Sequence, residues 1–286
     1  MYPAQFEYHK AGSVKEALDL LAKHKDDAKV LAGGHSLLPA MKLRLAQPKH
    51  VIDIGKISSL SGVKEEGGTL VIGALTTHYA IESSAVLKSK CPLMPEVAGH
   101  IGDPMVRNMG TLGGSLAHAD PAADWPAAVI ALGAEMVAEG PKGKRTIKID
   151  DFFKGLLTTA LADDEILTEI RVPACGANVK CAYAKFPHPA SRFAVVGVAA
   201  VLTRDGGKIG KASIGLTGAG TKATRAKGVE AAIAGKTADA ASIQAAAEKA
   251  ADGVDVQADL QGSVEYKQHL LRVFAKRAME AAAAKK

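Results

Sequence analysis

Two glycine pairs, each running into a hydroxyl side chain, constrain the fold of this chain more than any other feature. The first is Ala32-Gly33-Gly34-His35-Ser36, directly after a short strand expected over 28–31. The second is Gly110-Thr111-Leu112-Gly113-Gly114-Ser115. Glycine reaches positive φ freely and lets the main chain pass close to another group, so consecutive N–H groups can converge on one point. Such a concave cluster suits an anion, phosphate above all, and the hydroxyls of Ser36, Thr111 and Ser115 add donors. Taken alone, each pair reads as an ordinary turn; the two together leave turn and anion nest both open. Neither is a Rossmann fingerprint, since no G-x-G-x-x-G opens a helix after the first strand, and no G-K-[ST] follows to make a Walker loop.

The pattern around the loops predicts a mixed fold. Ser13 and Glu16 read as a capping box, with Val14, Ala17, Leu18 and Leu21 on one helical face. A short helix is expected over 38–45 and a strand over 51–54. Strands are expected over 60–63 and 69–75 around a Glu65–Gly68 turn, then a helix from His78 capped by Thr76-Thr77, and a helix over 125–132. Beyond Pro173, strands are expected over 182–186, 193–203 and 211–216, with an Asp205-Gly206 hairpin turn between the last two. Alanine-rich helices follow, the last packing through Leu270, Val273, Phe274 and Ala278. Strands and helices do not alternate regularly in this reading, which gives an α+β class rather than a doubly wound sheet. The expected segments are 1–57, 58–176 and 177–286.

Composition removes several function classes. At 286 residues, with 48% hydrophobic and 23% charged residues, the chain reads as globular. No apolar run approaches the roughly 20 residues of a transmembrane helix. The net charge of +6 suits an anionic ligand, but 4% aromatic residues give no basic and aromatic surface for nucleic acid. Cys91, Cys175 and Cys181 form no CxxC pair and no Cys/His set at zinc-like spacing, so no metal ligand is expected. Three cysteines are too few for an iron–sulfur cluster, which needs about four ligands. A sparse, odd count and an N-terminus without a basic and apolar leader fit a cytoplasmic chain.

Single polar residues add little on their own. Asp120 and Asp124 follow the second loop; either could accept from ribose hydroxyls, while Asp124 could equally cap the helix at Trp125. Asp103 and Arg107 are spaced to pair on one helical turn. His118 reads as a loop hydrogen-bonder, and His188 sits in a rigid Phe186-Pro187-His188-Pro189 run. No acid/base dyad and no nucleophile triad stands out, so no catalytic residue is expected.

Leu31 through Pro39, with Met41-Lys42-Leu43-Arg44-Leu45-Ala46 and Val51-Ile52-Asp53-Ile54, resembles the FAD-binding medium subunit of the molybdenum hydroxylases, nearest the carbon monoxide dehydrogenase medium chains. Arg107 through Ser115, with Asp120-Pro121 and Asp124, is similar to that family's other FAD loop. The likeness runs on through Glu165-Ile166-Leu167 and Arg171-Val172-Pro173 to Lys185–Ala194, and covers essentially the whole chain.

The resemblance implies two α+β subdomains that hold FAD in the manner of vanillyl-alcohol-oxidase-type flavoproteins. A C-terminal domain with a three-stranded antiparallel sheet and helices would follow. Ala32, Gly33, Gly34, His35 and Ser36, with Thr111, Gly114 and Ser115, would grip the pyrophosphate, and Leu37 belongs to the same cofactor-binding set. Asp124 would bind the adenosine ribose, Leu167 would pack near the adenine, and Lys185 would lie near the flavin ring. Phe193 stands where some relatives have tyrosine; the ring could still cover the flavin, without the hydroxyl. The resemblance further implies a large subunit with the molybdenum cofactor and a small one with two [2Fe–2S] clusters. These would form a dimer of heterotrimers, cytoplasmic or peripheral at the inner membrane face, with electrons passing from the clusters to FAD and on to an external acceptor. An autonomous FAD-dependent oxidase or reductase is the alternative, and a redox-inert nucleotide-binding module a third.

Overall fold

A computed structural model describes residues 1–285. It opens with β1 (Glu7–Lys10), α1 (Val14–His24), β2 (Ala28–Leu31), α2 (Leu37–Lys42) and β3 (His50–Asp53). The strands pair in parallel, in the order β1-β3-β2. Ser13 Oγ accepts from the Glu16 N–H (3.1 Å), and the Glu16 carboxylate accepts from Gly12 N–H (2.7 Å), so the capping box closes one residue early. Strand and helix therefore alternate regularly in this part, against expectation. The reading missed β1 because Glu7, Tyr8, His9 and Lys10 carry no apolar alternation.

The next part begins with the hairpin β4 (Val63–Glu66) and β5 (Thr69–Gly73). Six helices follow: α3 (His78–Ser83), α4 (Ala85–Lys90), α5 (Leu93–His100), α6 (Pro104–Met109), α7 (Leu112–His118) and α8 (Trp125–Leu132). Then come β6 (Glu135–Gly140), β7 (Gly143–Lys148), α9 (Ile149–Phe152), β8 (Phe153–Gly155), β9 (Thr158–Thr159) and β10 (Ile166–Pro173). β10 returns to the middle of an antiparallel sheet ordered β4-β5-β10-β6-β7. The strand expected over 60–63 begins only at Val63, as β4, and a 3-10 turn over Ser58–Leu60 precedes it. All eight residues of α8 are buried, and a helix apolar on every side belongs in a core. Burial holds it in place: at about 1.5–3 kcal/mol per large apolar side chain, Trp125, Val129 and Ile130 outweigh the roughly 1 kcal/mol of a cap. Asp124 supplies no such cap, because its side chain reaches no N–H of the helix.

The last part is β11 (Val179–Pro187), β12 (Ala194–Asp205), β13 (Lys208–Thr217), β14 (Thr224–Arg225), α10 (Lys227–Ile233), α11 (Ala240–Ala247) and α12 (Val264–Ala284). The three expected strands form an antiparallel sheet, to which β14 adds a two-residue edge. The β12–β13 turn is Gly206-Gly207, with Asp205 already paired to Lys208 in the ladder. β12 is a continuous apolar run because both faces are covered. Val196, Val198, Ala200 and Leu202 pack in the C-terminal core with Leu271, Phe274 and Ala278 of α12. Ala199 joins the central core with Trp125 and Ala128 of α8. Among the described residues, no helix is long and apolar enough to cross a membrane.

Candidate functional site

The two glycine loops, far apart in sequence, meet in space. A Cβ on Gly33 would lie 2.1 Å from the Met109 carbonyl oxygen and 2.9 Å from Gly110 Cα. Only glycine lets these two backbones touch. Gly34 has φ +79°, and a Cβ there would also strike Leu38. The loop turns into α2 through Leu38 N–H to Gly34 C=O (3.0 Å). Among the described residues, the N–H groups of Gly33, Gly34, His35 and Ser36 have no main-chain acceptor. Ser36 stands at the N-cap of α2, and its hydroxyl makes no capping bond. The first loop therefore presents a run of unengaged donors beside the second.

In the second loop, left open between turn and nest, the N–H groups from Leu112 to Ser115 are already engaged. Leu112 N–H donates to Thr76 C=O (3.0 Å), Gly113 N–H to Ala74 C=O (2.8 Å) and Ser115 N–H to Thr111 C=O (3.1 Å). Gly114 N–H donates to Thr111 Oγ1 (3.1 Å). His78 N–H in turn donates to Gly110 C=O (3.0 Å). These bonds lock the loop against residues 74–78, and Gly113 is needed there because a Cβ would lie 2.4 Å from that of Ala74. The loop thus supplies a rigid wall with the Thr111 and Ser115 hydroxyls. Ala32 reaches it as well, since a Cβ on Gly114 would stand 3.7 Å from that of Ala32.

His78 supports this wall from behind. Its Nδ1 accepts from Trp125 Nε1–H (3.1 Å). Burial first, then the charges of His35 and Arg107, push its imidazole down to about 4, so it stays neutral near pH 7. The sequence marked His78 only as a helix start. Asp103 and Arg107 do not pair with each other. Asp103 caps α6 by accepting from Val106 N–H (2.9 Å), while Arg107 lies 2.8 Å from Glu82 and donates to Ile101 C=O (3.0 Å).

Asp124 and Lys185 form one buried unit. Lys185 Nζ donates to Asp124 Oδ2 (2.8 Å) and to His100 C=O (3.1 Å), and Tyr183 Oη donates to Asp124 Oδ1 (2.6 Å). Burial pushes the Asp124 carboxyl upward, with Lys185 and Tyr183 pulling it back. Burial, then Asp124, holds the Tyr183 phenol well above its usual range. The side chain expected at the adenosine ribose and the one expected near the flavin ring are thus bonded to each other. Asp120 accepts from Ala122 N–H (2.9 Å) in a local turn.

The remaining expected residues are spread around this unit. Phe193 is 43% exposed. Its neighbour Ala194 donates to Ala122 C=O (3.0 Å), which ties the Phe193 loop to the segment before α8. Leu167 is buried in the central core on β10, the strand beside α7. Leu37 is half-buried and His35 exposed at the first loop. The His118 side chain makes no hydrogen bond among the described residues, against expectation, and His118 ends α7; His188 Nδ1 lies 3.2 Å from both N and Oγ of Ser191.

Residues 4–175 match the family described as the FAD binding domain in molybdopterin dehydrogenase, and residues 181–282 match the CO dehydrogenase flavoprotein C-terminal domain. The carbon monoxide dehydrogenase medium chain of Hydrogenophaga pseudoflava is 44% identical over 282 residues, 99% of this chain and 98% of that one. The corresponding chain of Afipia carboxidovorans is 39% identical, covering 100% of this chain and 99% of its own. A solved carbon monoxide dehydrogenase from Hydrogenophaga pseudoflava, lacking the Mo-pyranopterin moiety, superposes with a TM-score of 0.97 at 46% identity, over 99% of each chain.

Proposed function

The chain belongs to the FAD-binding medium subunits of the molybdenum hydroxylases, the family of the carbon monoxide dehydrogenase medium chains, and from that premise we propose that it relays electrons from an iron–sulfur partner through FAD to an external acceptor. One observation carries the site assignment: the main chain of Gly33 lies against Met109 and Gly110, beside unengaged N–H groups from Gly33 to Ser36. The fit to a diphosphate is chemical, since aligned backbone donors and hydroxyls suit phosphate oxygens.

In this proposal Ala32, Gly33, Gly34, His35 and Ser36 bind the diphosphate, and Leu37 fixes the loop at the start of α2. Thr111 and Ser115 donate from the wall, and Gly114 keeps that wall close. Phe193 covers the flavin ring from its half-exposed position. Lys185 lies near the flavin ring with its charge balanced by Asp124, and Asp124 binds the adenosine ribose. Leu167 backs the adenine side from β10. When bound, FAD supplies exchange of one or two electrons, which lets it join single-electron clusters to other acceptors. The hard chemistry belongs to cofactors, and this chain supplies binding and orientation.

The proposed partners are a large subunit with the molybdenum cofactor and a small [2Fe–2S] subunit, as a dimer of heterotrimers in the cytoplasm or peripheral at the inner membrane face. The near-complete coverage of chains named as medium chains supports this. Gentle isolation from the native source, with mass spectrometry of every co-purifying chain, tests it. The expected result is a cysteine-rich small chain and a much larger one. A chain that comes alone, holds FAD and oxidises a substrate unaided would overturn it.

A further inference from the structure

Three histidines outside the flavin site converge at one end of the N-terminal sheet. In the parallel ladder, Glu7 of β1 sits opposite His50 of β3, and His9 sits opposite Ile52. Side chains two apart on a strand share a face, and directly paired residues share it too. Glu7, His9 and His50 therefore project together. His24, at the C-terminal end of α1, comes down over the same place, its ring centroid 3.6 Å from that of His50 and 5.1 Å from that of His9.

The distances suit metal ligation. His9 Nε2 lies 3.1 Å from His50 Nδ1. One Glu7 carboxylate oxygen lies 3.3 Å from His50 Nδ1 and 3.8 Å from His9 Nε2. Ligands about 2.0–2.1 Å from a tetrahedral zinc ion stand about 3.4 Å from one another. One ring nitrogen from each histidine already lies within 4.8 Å of the other two. His24 Nε2 is buried without a hydrogen-bond partner among the described residues, and a buried polar atom left unpaired is uncommon. His24 now stacks on His50, so its ring must turn about its side-chain bonds to face the common point.

We propose that His9, His24 and His50, with Glu7 as fourth ligand, form a binding site for a divalent transition metal of the zinc class. Neutral imidazole nitrogens and one carboxylate are the donor set such ions favour. The ion would tie β1, the end of α1 and β3 together. It would thereby stiffen the sheet whose β2 leads directly into Ala32 and the first glycine loop. The sequence hid the site because its three histidines come from three elements with no short spacing between them.

The test uses the full-length chain, in its complex and without a polyhistidine tag, stripped by chelator and dialysed. It is titrated with Zn2+, and separately with Co2+ as a spectroscopic probe. The expected result is one equivalent bound per chain and visible Co2+ bands of low-coordinate symmetry. Affinity should fall more than about tenfold in His24→Asn and in His50→Asn, with flavin content unchanged. A rise in unfolding temperature with Zn2+ should appear in wild type and vanish in both variants. Should a variant fail to fold, the wild-type Co2+ spectrum still decides. Absence of those bands, or equal binding by wild type and folded variants, would overturn the site and leave a stack of hydrogen-bonded imidazoles.

Discussion

Lys185 and Asp124 meet 2.8 Å apart with side chains only 1% and 6% exposed, joining β11 to the start of α8. Removing one charge of a buried pair strands the other and costs about 3–5 kcal/mol, whereas replacing both by apolar groups is often neutral. Lys185→Met should therefore destabilise the chain by about that much, and Lys185→Met with Asp124→Leu should recover most of it. Equal loss in the single and double variants, by denaturant unfolding, would show that the pair is not what the core depends on.

Tyr183 crosses β12 at a glycine. A Cβ on Gly197 would lie 2.3 Å from the Tyr183 hydroxyl, which donates to Asp124 at 2.6 Å. Gly197→Ala should cost about 1–3 kcal/mol through overpacking, and Tyr183→Phe about 1.5–3 kcal/mol as a lost bond to a charged group. Combined, they should cost less than their sum, because removing the hydroxyl relieves the tightest contact and leaves that with Thr217 Cγ2 at 2.8 Å. Strict additivity in the double-mutant cycle would contradict the packing described.

His78 sets an acid limit on the second loop. Its imidazole, ordinarily near 6.5, is pushed down to about 4 in the folded chain by burial. Between those values the unfolded chain binds more protons than the folded one. The stability His78 contributes is thus full above about pH 6.5, is lost as pH falls toward 4, and totals on the order of 3 kcal/mol. Stability curves at pH 7 and pH 4.5 should diverge more for wild type than for His78→Gln. Parallel curves would mean that His78 titrates normally.

Local signals were legible wherever a periodic pattern and a cap agreed. Ser13 with Glu16 marked α1, and the apolar run at Trp125 marked α8, because both are short-range facts of residue type. The meeting of Gly33 with Met109 was not legible, since backbone approach across the fold leaves no spacing signal. Glycine content left the second loop open between turn and nest; its Leu112 and Gly113 N–H groups proved to be engaged with Thr76 and Ala74, a tertiary choice. Asp103 and Arg107 had the right spacing to pair, yet a cap and Glu82 offered better partners. The histidines of the N-terminal sheet stayed hidden because strand register, which β1 alone reveals, brings Glu7 beside His50.

The central claim is that FAD is held where the two glycine loops touch, and flavin content tests it most directly. FAD per chain is measured in complexes isolated with their natural partners, wild type beside Gly33→Val, with Gly155→Ala as a control whose added Cβ meets nothing within 4 Å. Wild type and Gly155→Ala should each carry close to one FAD per chain. Gly33→Val should carry less than about a tenth of that, because its side chain drives Met109 and Gly110 away from the first loop. Full flavin retention by a folded Gly33→Val, or wild-type complexes without FAD, would contradict the account.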